Sequence, residues 1–505
     1  MNHLIIAPVL LPAVLGAGLV LARRAGLGVQ RLAGLAGTLM LLALAVGLMV
    51  QATTTPAQAY FLGGWPAPFG IVLVLDRLAA LMLVLTAALA VLVQIHAVAT
   101  GWDARGTHFH ALYLFQLMGL NGAFLTGDAF NLFVFFEVLL IASYGLMIHS
   151  GGAVRLRAGV QYVAFNLVAS VLFLFALATL YGVTGTLNLA DLAGKVAQLP
   201  PGDAALIRVA GVLLLAVFGI KAALVPLHFW LPATYANAPG PVAALFAVMT
   251  KVGAYAVLRV FTLVFPPTTP DTGALFAGLL LALALATLAV GAIGVLGAAT
   301  LARLVAFAVI AGVGTLFIAV ADFTPQGTAA ALYYLIHSTL AGAALFLLAD
   351  LVAARRAGDG LRTALPPIAQ HGLIAALFLV AALAMVGMPP FSGFLGKLMI
   401  LDASRGALMA LIWPIVLTSS LVMIVGYARA GSLLFWKAHE LGPRAPATPH
   451  PAQPLAFGAV IALIAALAAL TVFAAPVMRY LDATAAQLHR PTAYIAANAL
   501  PGVAP

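Results

Sequence analysis

The chain has 505 residues, 64% of them hydrophobic and only 7% charged, with a formal net charge of +10. A soluble domain carries about a quarter charged residues, so this composition excludes one and describes an integral membrane protein whose cations set orientation rather than bind nucleic acid. The absence of cysteine excludes thiolate metal sites, iron–sulfur ligation and disulfides by this chain.

Apolar runs recur from end to end, and a membrane-crossing helix needs roughly 20 residues. Spans are expected at about 2–22, 31–53, 70–98, 108–126, 129–149, 158–183, 204–228, 240–263, 273–296, 301–322, 327–354, 366–403, 406–436 and 452–478. The first, "HLIIAPVLLPAVLGAGLVLARR", is longer than a signal core and lacks a basic start, so it is read as a retained span. The fold class is thus an all-α polytopic membrane protein of roughly fourteen spans. Arg23, Arg24, Arg31, Arg105, Arg155, Arg157, Arg303, Arg355, Arg356, Arg362, Lys437 and Arg444 all fall in odd-numbered loops. The even loops hold few cations, Lys195 and Arg405 being the exceptions. The positive-inside rule therefore puts the odd loops in the cytoplasm and both termini outside.

Spans seven ("LLLAVFGIKAALVPLHFWLPATY") and twelve ("AMVGMPPFSGFLGKLMIL") carry Pro226 and the pair Pro389–Pro390, which break a helix. Broken backbone at membrane depth is tolerated only where protein or a wet cavity satisfies it. Interrupted spans at corresponding positions of two halves point to inverted repeats. The expected division is residues 1–107 as flanking spans one to three, 108–265 as the first five-span unit and 266–440 as the second, inverted unit. Residues 441–505 complete the chain as the last span and a short tail.

Five ionisable groups lie within apolar runs: Glu137, Lys221, Lys251, His337 and Lys397. A charge at the bilayer centre costs at least about 2.5–3.5 kcal/mol, so such groups face the bundle interior and find partners. Five of them on different helices point to a chain of proton-carrying stations. Burial makes a lysine release its proton more readily, and a neighbouring carboxylate reverses this. Glu137 beside Lys221 would then control its proton, the alternative being a fixed ion pair that locks two helices. His337 is a natural relay between lysines, with donation to a backbone carbonyl as the alternative. Lys397 is expected to line a cavity at the "PPFSGF" break rather than snorkel to the surface. His228, just past the break in span seven, is a secondary candidate. Asp76, Arg77 and Asp128 are read as interfacial. No phosphate-binding loop or dinucleotide fingerprint is present, and His108 and His110 lie in a short loop without further ligands at metal spacing. Neither a cofactor nor a metal is expected.

The stretch "KAALVPLHFWLPATYANAPGPVAALFAVMTKVGAYAVLRVF", residues 221–262, closely resembles the proton-conducting antiporter-like subunits shared by respiratory complex I and the multisubunit Mrp cation/proton antiporters. "GDAFNLFVFFEVLLIASYGLM" and "GMPPFSGFLGK" match the family's span-five glutamate and span-twelve lysine segments, and the likeness covers roughly residues 70–440. Within the family the chain is most similar to the D-type subunits of Mrp Na⁺/H⁺ antiporters. The signs are "FNLFVFFEVLLIASYGLMIHSGG", a lysine rather than a glutamate in span twelve, and no long lateral helix after span fourteen.

The resemblance implies a relay in which Glu137 gates Lys221, Lys251 is the central station, His337 follows and Lys397 lies nearest one exit. It implies transport of H⁺ against Na⁺ or K⁺ in a bacterial inner membrane. The implied partners are the other subunits of one complex, of A, B, C and E–G type, and the lipid bilayer. Many relatives carry a lysine where this sequence has Gly342, which leaves water as the link between His337 and Lys397. "TLARLVAF" in span ten lacks the acidic and second basic residues common in relatives. No cluster of intramembrane carboxylates suited to sodium is visible, so the proton is assigned here and the cation to another subunit. The competing readings are a pump subunit of a redox complex, a scaffold that carries no protons, and an autonomous antiporter.

Overall fold

In a computed structural model, residues 2–199, 204–267, 273–356, 358–441 and 453–500 are described; Arg444 lies outside them. The described chain is mostly helical, and 11 of its helices are long and apolar enough to cross a membrane. Three shorter apolar helices, Ala7–Leu21, Phe109–Leu125 and His371–Val386, take the places of expected spans one, four and the first half of twelve. The others follow the expected order along the chain.

Three expected boundaries are corrected. Span three was expected from residue 70, but Val72–Leu75 is a strand paired antiparallel with Gln58–Phe61. Its alternating β-branched and leucine side chains suit an extended, paired segment, and the crossing helix begins at Arg77. There the Asp76 carboxylate accepts from the Ala79 amide and closes the helix start. Span fourteen ends at Val472, and Ala474–His489 follows as a separate helix with Leu481, Thr484, Ala485 and Leu488 on its buried side. Span eight is interrupted at Ala247–Val248, between Gly240–Phe246 and Met249–Leu263. A short helix Leu189–Ala197, capped by Asn188, was not foreseen either.

The connections gather on two opposite ends in alternation. At one end Arg31 pairs with Asp103 at 2.6 Å, Trp102 donates to Asp350 at 2.8 Å, and Arg155 donates to the Asn237 carbonyl at 2.9 Å. At the other, Asn188 donates to Asn498 at 3.2 Å, and Arg77 donates its amide to Gln487 at 3.1 Å. Thr328 and His489 share a 2.9 Å hydrogen bond there. The apolar window of Gly240–Leu263 is 100% buried within this chain, against 28% for Met409–Glu440. Span eight is therefore enclosed by the rest of the chain, as spans ten and eleven nearly are at 94%, and span thirteen turns most of its surface outward.

Spans four and five, and likewise spans nine and ten, approach closely through glycine. A side chain at Gly119 or Gly122 would strike Leu139 or Phe135, and one at Gly291 or Gly294 would strike Ala311 or Phe307. The start of span five is pinned by Ala129 donating to Leu187 and Leu189 donating to Gly127, at 2.8 and 2.9 Å. The start of span ten is pinned by Leu301 donating to Asp359 and Leu361 donating to Ala299, at 2.9 and 2.8 Å.

Candidate functional site

The span-five helix Ala129–Met147 starts under the Asp128 cap, whose carboxylate accepts from the Asn131 amide at 2.7 Å. Glu137 lies two turns in, half-buried. Its nearest polar partner is on span six, Ala153–Thr184, where the Ser170 hydroxyl donates to Glu137 Oε1. One turn earlier on the same face, Asn166 Oδ1 accepts from Lys221 Nζ at 3.0 Å. Asn166 is itself oriented by donating to the Tyr162 carbonyl at 2.9 Å. Glu137 and Lys221 form no ion pair among the described residues; each instead bonds a span-six side chain one turn apart, Ser170 and Asn166, which speaks against the fixed-ion-pair alternative. Asn166 and Ser170 are additions to the predicted set; their sequence signal is two polar residues at helical spacing in "QYVAFNLVAS", inside an otherwise apolar span.

Lys221 is buried in the last turn of Ala204–Ala222, where span seven breaks. Backbone groups freed at the break are satisfied by side chains: Trp230 Nε1 donates to the Ile220 carbonyl and the Val225 amide to the Thr287 hydroxyl, each at 2.9 Å. His228 lies within the break, its ring 4.4 Å from that of Phe229. No hydrogen bond joins it to a lysine among the described residues. A cavity with room for about one water opens beside Lys221, lined also by Phe136, Asn166, Trp230, Met249 and Val252. Its far wall is the helix that carries Lys251.

Lys251 is 1% exposed and sits just after the interruption of span eight, Nζ 3.3 Å from the Thr250 hydroxyl. Gly342 faces that interruption across a gap that a methyl group would close to Ala247 at 3.8 Å. Lys251 continues into a stripe at helical spacing. Arg259 Nε donates to Tyr255 Oη at 3.4 Å, and the guanidinium pairs with Asp76 at 2.6 Å. Asp76 is therefore buried and paired, not merely interfacial.

His337 is fully buried on span eleven, with Nδ1 at 2.9 Å from the Ser392 hydroxyl and Nε2 free of any hydrogen-bond partner among the described residues. The contact is to a side chain, not to a backbone carbonyl. A side chain at Gly393 would lie 2.7 Å from His337 Nε2, so glycine there lets the second half of span twelve pass the ring. Lys397, on that half, turns back to the break: Nζ donates to the Val386 carbonyl at 2.9 Å and to Ser420 Oγ at 2.7 Å. Val386 ends the first half-helix, so the ammonium sits at the negative end of its dipole. Snorkelling is excluded by this geometry.

The five predicted residues thus fall into two bonded clusters, Glu137–Ser170/Asn166–Lys221 and His337–Ser392 beside Lys397–Val386, with Lys251 between them. His110 is a correction: it belongs to the first turn of Phe109–Leu125, buried and 3.1 Å from Asp103 Oδ2. Burial opposes a charge on Asp103, yet hydrogen bonds from His110 and Arg31 hold its carboxyl below the usual carboxylate range. No group of three or more potential metal ligands occurs among the described residues.

Residues 126–423 match a family described as NADH:quinone oxidoreductase/Mrp antiporter, transmembrane. The chain is 39% identical to the D-type subunit of a probable K⁺/H⁺ antiporter of Rhizobium meliloti, over 97% of this chain and 96% of the relative. It is 37% identical to the D-type subunit of the Na⁺/H⁺ antiporter of Bacillus subtilis, over 98% and 99%. Among solved structures it resembles a chain of the Mrp complex from a Dietzia species, with a TM-score of 0.86, 28% identity and coverage of 99% and 100%. A chain of respiratory complex I from Thermus thermophilus with bound NADH follows at TM-score 0.80 and 29% identity, over 96% and 99%.

Proposed function

We propose a proton-carrying role, on the premise that this chain belongs to the NADH:quinone oxidoreductase/Mrp antiporter transmembrane family. It is a subunit of a multisubunit cation/proton antiporter, a transporter component and not an enzyme. The observation that carries the proton reading is that each of the two helix breaks holds a buried lysine on a fixed acceptor, Lys221 on Asn166 and Lys397 on Val386. Protons enter near Lys221 under the control of Glu137, acting through Ser170 and Asn166. They cross the small cavity to Lys251, pass to His337 through its unbonded Nε2, and leave near Lys397. The gradient and membrane potential drive this, at about 2.3 kcal/mol per charge per 100 mV. Na⁺ or K⁺ moves through another subunit of the complex, and neighbours of A, B, C and E–G type complete the assembly.

Spans four to eight and nine to thirteen are taken as inverted repeats, giving fourteen crossings with the odd-numbered loops in the cytoplasm. The pinned helix starts support this. One constant offset relates Gly119 to Gly291, Gly122 to Gly294, Asp128 to Thr300 and Asn188 to Gly360. The alternation of connections between two ends supports it as well.

The redox-complex alternative rests on the complex I likeness, at 29% identity against 28% for the Mrp chain; what favours the antiporter is the TM-score, 0.86 against 0.80, and the near-full-length antiporter relatives at 39% and 37% identity. The test uses vesicles holding the native complex, with or without Glu137→Ala, at equal assembly. After a proton gradient is imposed without an electron donor, proton efflux is recorded on adding Na⁺ or K⁺. Cation-dependent efflux that disappears in the variant is expected. Unchanged efflux would reduce Glu137 to a structural role, and no cation response in the unmutated complex would favour the redox reading.

A further inference from the structure

An apolar groove of about 650 Å³ runs between His371–Val386 and the helix that begins at Met409. Its walls are Phe378, Leu379, Ala382, Leu383, Ile424 and Tyr427. Its mouth is polar, with His371, His439 and Glu440 beside Trp436, whose indole is 74% exposed. An exposed tryptophan at the end of a span marks the headgroup level of a bilayer, so the mouth lies at headgroup depth and the walls at acyl depth.

Arg356 ends the neighbouring helix Pro325–Arg356, and Arg355 beside it donates to Gln370, the residue before His371, at 2.7 Å, which sets this helix end against the mouth. Its Nε, Nη1 and Nη2 are all shielded from solvent and have no hydrogen-bond partner among the described residues. His371 Nδ1 is equally buried and unpartnered, while its Nε2 lies 3.2 Å from the Phe435 carbonyl. A shielded guanidinium without an acceptor is costly, and its planar fork matches a phosphate. Glu440 is exposed and makes no ion pair with Arg356 among the described residues, and exposed Lys437 offsets its charge.

We propose that this groove binds one anionic phospholipid, its phosphate on Arg356 and His371 and one acyl chain along the groove. The length suits a chain. From His371 to Val386 is roughly 22 Å at 1.5 Å per residue, which covers the roughly 15 Å of one leaflet's hydrocarbon core with length left for the mouth at headgroup depth. The charge suits the membrane face as well, since basic pockets between spans on the cytoplasmic side take anionic headgroups. The groove ends at Val386, whose carbonyl seats Lys397. The site rests on the groove, its mouth and the orientation proposed above, and does not depend on the proton relay.

The test is lipid binding to the purified, delipidated complex, titrated with phosphatidylglycerol or phosphatidylcholine and counted by native mass spectrometry. The intact complex should retain one more phosphatidylglycerol than phosphatidylcholine. Arg356→Gln should cut that preference roughly tenfold, as loss of bonds to a charged group implies. Leu379→Trp, which fills the groove from its exposed side, should abolish retention of the extra lipid while the complex stays assembled. Equal retention of the two lipids, or a preference unchanged by Arg356→Gln, would overturn the proposal. So would efficient crosslinking of Leu379→Cys, in a chain with no other cysteine, to a neighbouring subunit, which would place protein in the groove.

Discussion

Asn166 is the residue whose removal probes the relay most directly, because it is the side chain on which Lys221 rests. Asn166→Leu deletes the acceptor 3.0 Å from Nζ and leaves the ammonium without one among the described residues. A hydrogen bond to a charged group contributes about 1.5–3 kcal/mol, so the protonated state of Lys221 should lose roughly 10- to 150-fold in occupancy. Asn166→Asp does the opposite. A carboxylate at that distance attracts the ammonium by about 5 kcal/mol at an effective dielectric near 20, which holds the proton in place. Both substitutions should therefore slow cation-driven proton efflux from vesicles holding the complex, by at least about tenfold, at unchanged assembly. A relay through Lys221 requires both arms. If either variant, assembled to the normal level, exchanges at the unmutated rate, the Asn166–Lys221 contact has no part in transport.

Gly393→Ala would put a methyl group 2.7 Å from His337 Nε2 and closer still to the Ala384 carbonyl, so it crowds both the ring and the break in span twelve. Overpacking costs about 1–3 kcal/mol, so efflux should fall about tenfold or more while Ser392→Ala falls less. Comparing the two variants by the same vesicle assay checks this. Removing one partner of the buried Asp76–Arg259 pair, as in Arg259→Met, leaves a buried charge and costs about 3–5 kcal/mol. It should appear as loss of assembled complex on size-exclusion chromatography before any transport is measured. Asp128, at the loop before span five, has its carboxyl raised from 3.8 to about 6, because burial outweighs the amides of Asn131 and Phe130. The fold thus binds this proton more tightly than the unfolded chain does. The associated stability is full below about pH 4 and lost as pH rises through about 6. Asp128→Asn keeps the cap and removes the loss. It should stabilise the complex by about 1–2 kcal/mol at pH 8 and not at all at pH 4, as read by thermal melting.

The apolar runs and the prolines at 226, 389 and 390 made the spans and both breaks legible, because a helix in lipid must satisfy its own backbone and a proline cannot. The buried ionisable residues were legible for the same reason: cost marks them out. What they touch was not. Asn166, Ser170, Ser392 and Ser420 are short neutral side chains whose insertion in a span costs little, so nothing singles them out until packing sets them against a lysine or a carboxylate. The strand at Val72–Leu75 was hidden because a run of valine and leucine reads alike as span or strand. Asp76 reads as interfacial in the sequence because its partner, Arg259, lies 183 residues away.

The tail beyond span fourteen has a consequence for biogenesis. Tyr494 lies over the Arg259 guanidinium at 4.8 Å, Asn498 holds Asn188, and Gln487 holds the start of the Arg77 helix. Three early parts of the polypeptide are thus fastened by residues that leave the ribosome after all of them. The buried Asp76–Arg259 charges can be inserted long before Tyr494 covers them. Until the tail docks, the Arg259 guanidinium lacks the Tyr494 ring over it and the start of the Arg77 helix lacks its Gln487 acceptor, so this end of the bundle closes only once the last helices are made.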